Sequence, residues 1–146
     1  MINKDKLEAF LKSVDNLFPT PLSQKQELSL LAEKFMEKAT MCYHEENGEI
    51  LALVAGYTQN VTADMGYISV VATLPEAQGR GCASRLVKEF IEIATDADLS
   101  AVHLYTAKSN LSAIAVYKKL GFTEWVVEGE TRPDDLHLIF SIKQRG

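Results

Sequence analysis

Apolar residues recur along the first third of the chain at the spacing of one helical face. Leu7, Phe10, Leu11, Val14, Leu17 and Phe18 mark a first amphipathic helix, which Pro19 and Pro21 stop. Ser23-Gln24-Lys25-Gln26 has the form of a capping box. It predicts a second helix opening there, with Leu28, Leu31, Ala32, Phe35 and Met36 on its buried face. The pattern then changes to two β-rich runs, Thr40–His44 and Ile50–Tyr57. Glu46-Asn47-Gly48-Glu49 joins them, and an Asn-Gly pair between such runs predicts a tight hairpin.

Downstream, Tyr67–Thr73 reads as a third strand ending near Pro75. Cys82–Thr95 places Leu86, Val87, Phe90, Ile91 and Ala94 on one face and is predicted to be a helix. Ala101–Thr106 reads as a strand, and Leu111–Leu120 as a short helix closed by Gly121. Phe122–Glu128 and Leu136–Ile142 are predicted strands flanking the polar loop Gly129–Asp135. The order α-α-β-β-β-α-β-α-β-β predicts a mixed sheet with helices packed against it.

Composition narrows the classes. The chain has 146 residues, 47% of them hydrophobic and 24% charged, which supports one folded domain over 1–146 and excludes wholesale disorder. Fifteen basic against twenty acidic residues leave a net charge of −5, with no Lys/Arg run, so neither nucleic acid nor an anionic membrane is an expected partner. Cys42 and Cys82 are too few for a disulfide framework, which points to a reducing cytoplasm. The amino-terminal residues have charges where an export signal needs an apolar run, and no stretch reaches the roughly 18 apolar residues of a membrane span. His44, His103 and His137 lack ligand spacing, so no metal is expected.

Chemistry concentrates at Gln78-Gly79-Arg80-Gly81-Cys82-Ala83, where a predicted strand passes through glycines into a helix. The first amides of a helix have no intrahelical partner, and with the helix dipole they attract an anion, usually a phosphate. Arg80 offers a further charge-assisted bond. A plain glycine turn is the alternative. The loop lacks the GK[ST] of a nucleotide-binding P-loop. As a dinucleotide fingerprint it fares little better, with Ser84 where the last Gly or Ala belongs.

The same six residues match the Q/R-x-x-G-x-G/A loop of the GCN5-related N-acetyltransferase (GNAT) superfamily, with Thr73-Leu74-Pro75 in the usual place upstream. Asn110 through Phe122 resembles that family's second signature, an Asn, a Tyr seven residues on (Tyr117) and a closing Gly121-Phe122. The strict match covers less than half of the chain, but the predicted element order fits the family fold throughout. The resemblance implies an α+β fold with a mixed, mostly antiparallel sheet of six or seven strands, split near the cofactor and flanked by about four helices. It implies acetyl-CoA as donor and transfer to an amine by direct attack in a ternary complex. The amides of Gln78, Gly79, Arg80, Gly81, Cys82, Ala83 and Ser84 would cradle the pyrophosphate. The edge Val71-Ala72-Thr73 would bond the pantetheine arm, and Asn110 its amides. Tyr117 would be the general acid for the departing thiolate, and Lys119 would reach a cofactor phosphate. Read without the family, Asn110 is an N-cap, Tyr117 a core tyrosine and Cys82 a small filler.

The pattern departs from the family at one point. Many members carry a Glu six residues before the proline, which would relieve the amine of a proton; here that position is Ser69, beside Val70. Asp64, Glu76, Glu124, His103 and His137 are the substitutes the sequence offers. Acceptor-side candidates are Phe18, Tyr57, Asn60 and Ser69, whose aromatic, amide and hydroxyl character suits a small polar amine such as an amino sugar. Other readings are a non-catalytic acyl-CoA-binding domain and transfer from another acyl-CoA or to a protein N-terminus or lysine. A monomer or a homodimer fits the sequence equally.

Overall fold

The computed structural model describes residues 1–142; residues 143–146 lie outside the description. Helix α1 (Lys4–Val14) starts at Asn3, whose side chain accepts the Lys6 amide, and runs into a 3-10 turn, Asp15–Leu17. Helix α2 spans Leu28–Lys38. The hairpin strands are β1 (Thr40–Glu46) and β2 (Glu49–Tyr57), turning through Asn47 and Gly48, both at positive φ. Strand β3 (Met65–Thr73) leads through a short 3-10 turn to α3 (Cys82–Asp96). Then follow β4 (Ala101–Ala107), α4 (Leu111–Leu120), a two-residue β5 (Thr123–Glu124) and β6 (Asp135–Ser141).

Among the described residues one six-stranded sheet forms in the order β1-β2-β3-β4-β6-β5, with only β3 and β4 parallel. The expected mixed, mostly antiparallel α+β architecture with four helices is therefore present. Helices α1 and α2 cover one face, where Leu7, Phe10, Leu11, Leu31 and Phe35 pack with Leu51, Leu53, Val70 and Ala72. The other core joins Leu86, Val87 and Phe90 of α3 to Ala52, Val54, Ile68, Val102 and Leu104. Strand β2 is thus buried on both faces, which explains its unbroken apolar run.

Two predicted elements differ. Ser23 does not cap α2; it lies in a 3-10 turn, Leu22–Gln24, and α2 begins at Leu28 after Glu27, with no side-chain cap. Ser23 instead binds Asp15, its amide donating to Oδ1 at 3.0 Å and its hydroxyl to Oδ2 at 2.5 Å. These bonds hold the Asp15 carboxyl below its ordinary pKa and brace the connector between α1 and α2. The strand predicted over Phe122–Glu128 is cut to Thr123–Glu124. Its β-branched residues meet no core, since Val126 is 89% exposed, so propensity alone does not hold the ladder.

One irregularity shapes the site. Ala55 and Gly56 of β2 face Val70 and Ile68 of β3, leaving Ser69 as an extra residue in a β-bulge. Ile68 and Val70 consequently point into opposite cores. The parallel pairing of β3 with β4 covers Met65–Ile68 against Ala101–Leu104 and stops at the bulge. Beyond it the two strands share no ladder, so Ser69–Thr73 keeps a free edge.

Candidate active site

A cleft of about 910 Å³ opens where β3 and β4 part. Its walls include Ser69, Val71, Ala72 and Thr73 from β3, and Gln78, Gly79, Gly81, Cys82, Ala83 and Ser84 from the loop and first turn of α3. Asn110 and Tyr117 enter it from α4, and Phe18 from the α1–α2 connector. The seven-residue interval between Asn110 and Tyr117 does bring both onto one helical face.

The loop has the properties of an anion cradle. Gly81, the N-cap of α3, sits at φ +75 and gives the helix no side-chain cap, so the first-turn amides keep no side-chain partner. A Cβ built on Gly79 or Gly81 would meet nothing within 4 Å, so the backbone borders open space that a phosphate could enter. Gln78 fixes the approach by donating from Nε2 to the Thr73 carbonyl at 3.3 Å. Arg80 is not among the cleft residues. It turns outward, with Nη1 3.3 Å from Oε2 of Glu46 and Nη2 donating to the Glu76 carbonyl.

Tyr117 is 6% exposed, and its ring packs edge-on against Phe122 with centroids 5.8 Å apart. Burial drives its phenol pKa upward, so the hydroxyl holds its proton at neutral pH. Asn110 caps α4, its Oδ1 accepting the Ala113 amide at 3.4 Å, while also lining the cleft. Cys82 is buried at the start of α3. Lys119 is exposed and is not among the cleft residues. Tyr57 and Asn60 also lie outside the lining. The Tyr57 hydroxyl is buried without a partner, its ring 5.6 Å from the Lys34 ammonium, and Asn60 is an exposed residue at positive φ.

Sequence reasoning missed part of the cleft wall. Tyr67, Tyr105, Arg132 and Asp135 also line the cleft, with Lys25 near its rim. The Arg132 guanidinium lies 3.7 Å from the centroid of the Tyr105 ring, and its Nε donates to Oδ2 of Asp135 at 3.1 Å. Tyr105 donates a hydrogen bond to Glu130, which also binds His137. The strand alternation that puts Tyr67, His103 and Tyr105 on one face was a readable signal. Glu130 and Arg132 come from the loop between β5 and β6, which carries no periodicity to read.

Comparison with known proteins decides the family. The Acetyltransferase (GNAT) family model matches residues 7–122. The chain belongs to the GNAT acetyltransferase family. Among curated relatives, the mycothiol acetyltransferase of Pseudarthrobacter chlorophenolicus is 43% identical over 61 residues, 42% of this chain and 19% of that protein. The chain thus matches only about a fifth of the length of that relative. Among solved structures, the ribosomal-protein-S18-alanine N-acetyltransferase from Escherichia coli superposes with a TM-score of 0.75 at 21% identity, covering 100% of this chain and 93% of that one. The PaiA N-acetyltransferase from Thermoplasma acidophilum, solved with coenzyme A, gives 0.74 at 12% identity, covering 97% and 96%. At such identities the two structures speak for the GNAT fold. Among the described residues no helix is long and apolar enough to cross a membrane.

Proposed function

We propose that this GNAT chain moves the acetyl group of acetyl-CoA to the amine of a small polar acceptor, by direct attack in a ternary complex. The observation that carries the reading is the free edge of β3 beyond the Ser69 bulge, opening onto the same cleft as the uncapped first turn of α3. The amides from Gln78 to Ser84 bind the pyrophosphate, and the edge Val71–Thr73 pairs with the pantetheine arm as a neighbouring strand would. One of its amides then faces the thioester oxygen, where negative charge develops. Asn110 binds the pantetheine amides and Tyr117 protonates the departing thiolate.

The acceptor side supports a small molecule. The charged lining of the cleft consists of Lys25, Arg132 and Asp135, with Asp135 already engaged by Arg132. Two cations and one paired carboxylate suit an amine that also carries an anionic or strongly polar group, and offer little to a basic protein tail. The name of the mycothiol-directed relatives points the same way. Thiol release from acetyl-CoA, measured across a panel of amino sugars, amino acids and peptide N-termini, tests the reading. We expect turnover with a small amine, abolished in Gly81→Glu. Acetyl-CoA binding without turnover of any amine would overturn it in favour of a binding domain, and turnover confined to peptides would overturn the small acceptor.

A further inference from the structure

Acetylation of an ammonium group requires that a proton leave the cleft, and Ser69 holds no base to take it. The structure holds a chain of titratable groups at this place. The Tyr105 hydroxyl donates to Oε1 of Glu130, and Nδ1 of His137 lies 3.1 and 3.3 Å from the two oxygens of Glu130. Nε2 of His137 lies 2.9 Å from Nδ1 of His103. With Glu130 ionised, His137 donates through Nδ1 and its Nε2 accepts the Nδ1–H of His103, so every link has one proton and one acceptor.

The chain joins two spaces. Tyr105 lines the cleft, whereas Glu130 and His137 line a second hollow of about 620 Å³ bordered by the exposed Val126. His137 is 7% exposed and stacks on Tyr105 with centroids 4.1 Å apart, which fixes the ring that orients Glu130. The groups facing Glu130 are Tyr105 from β4, His137 from β6 and Arg132 from its own loop, with His103 behind His137. Tyr67 and Arg132 flank Tyr105. The Tyr105 hydrogen bond, then that of His137 and the charge of Arg132, hold the Glu130 carboxyl below its ordinary value. Glu130 is therefore suited to pass a proton on, not to store it.

We infer that Tyr105 and Glu130 form a relay that carries the acceptor's proton from the cleft to the second hollow, with His137 and His103 as positioning residues. The inference rests on the acetyl-transfer reading. The ammonium N–H bond breaks as its proton joins the Tyr105 oxygen, while the Tyr105 O–H bond breaks and that proton joins Glu130. The nitrogen keeps its electron pair and attacks the thioester carbon, the C–S bond breaks, and Tyr117 gives its proton to the departing thiolate. The second N–H proton of the acylated nitrogen passes through water to the Tyr117 oxygen, leaving a neutral amide and a restored phenol. Glu130 then releases its proton to water in the second hollow, restoring phenol and carboxylate. Ammonium plus carboxylate become amine plus carboxylic acid, so charge balances.

The test compares wild type with Tyr105→Phe and Glu130→Gln, with Glu128→Gln in the same loop as control. For an alkylamine acceptor, protonated at neutral pH, kcat/KM should fall about 10²-fold in both relay variants. The profile in those variants should then rise about tenfold per pH unit, following the free amine. An O-alkylhydroxylamine, already neutral, should be acetylated at nearly the wild-type rate by all variants. Equal losses for both acceptors would overturn the relay and leave a structural role. In parallel, the 15N NMR signals of the His137 ring in the ligand-free protein should move in Glu130→Gln, because the partner of Nδ1 changes from a carboxylate to an amide. Unmoved His137 ring signals would overturn the relay whether or not any amine is turned over. Acetyl-CoA binding should be unaltered in every variant, so failure of the donor assignment stays distinguishable.

Discussion

Tyr117 shows how burial can make a residue useful. Two explanations of its position compete, a packed core tyrosine and an acid for the thiolate, and the structure supplies grounds for both. Its ring fills space against Phe122, while the residue borders the cleft from α4. Because burial raises its pKa, the phenol keeps its proton at neutral pH, as the proposed acid role requires. Tyr117→Phe keeps the ring packing and removes only the hydroxyl. We expect kcat to fall about 10²-fold with acetyl-CoA affinity within about twofold of wild type, read from steady-state kinetics and calorimetry. An unchanged kcat would assign the residue to the core alone. The place of Tyr117 on the cleft wall was legible from its register with Asn110, whereas Arg80 shows what residue type cannot reveal. A cation in a phosphate-binding loop reads as a ligand, yet Glu46 across the turn claims it. That partner comes from 34 positions away in the hairpin, and no local pattern records it.

At the scale of elements, α4 and the hairpin were legible because their signals are local: the Asn47-Gly48 pair and Gly121 each fix a boundary, whereas α1 gives way to a 3-10 turn at Asp15, short of Pro19. The bulge was not. Strict alternation would put Ile68 and Val70 on one face, whereas the extra residue at Ser69 sends them into opposite cores. Gly56 makes this bulge feasible, since a Cβ there would lie 2.2 Å from the Tyr67 carbonyl oxygen and 2.9 Å from the Phe90 ring. Neither neighbour can yield easily, one being backbone and the other a fully buried ring. Gly56→Ala should therefore cost about 1–3 kcal/mol in urea unfolding. It should also weaken acetyl-CoA binding, because displacing β3 closes or distorts the edge next to β4. A stable variant with normal affinity would show that the split does not depend on the bulge.

For the whole molecule, the same split is a weakness that a ligand can repair. Among the described residues, four parallel pairs, Met65–Ile68 with Ala101–Leu104, are the only ladder joining the β1–β3 half of the sheet to the β4–β6 half. On the proposed reading, a donor seated between the halves would add hydrogen bonds to the free edge of β3 and accept them from the first amides of α3. Acetyl-CoA at about 100 times its Kd should add roughly 2.7 kcal/mol. For a chain of this size that raises Tm by about 5–10 °C in a thermal melt. Gly81→Glu should abolish the shift, because a carboxylate in the cradle repels the pyrophosphate and a side chain strains the positive φ of Gly81. Lys119 can be placed by the same melt. It stands exposed on α4 and is not among the cleft residues. A larger shift with CoA than with dephospho-CoA, lost in Lys119→Ala, would put the phosphate that dephospho-CoA lacks against it. Equal shifts would leave Lys119 as a solvated charge, and no shift with any CoA form would remove acetyl-CoA as the donor while leaving the fold intact.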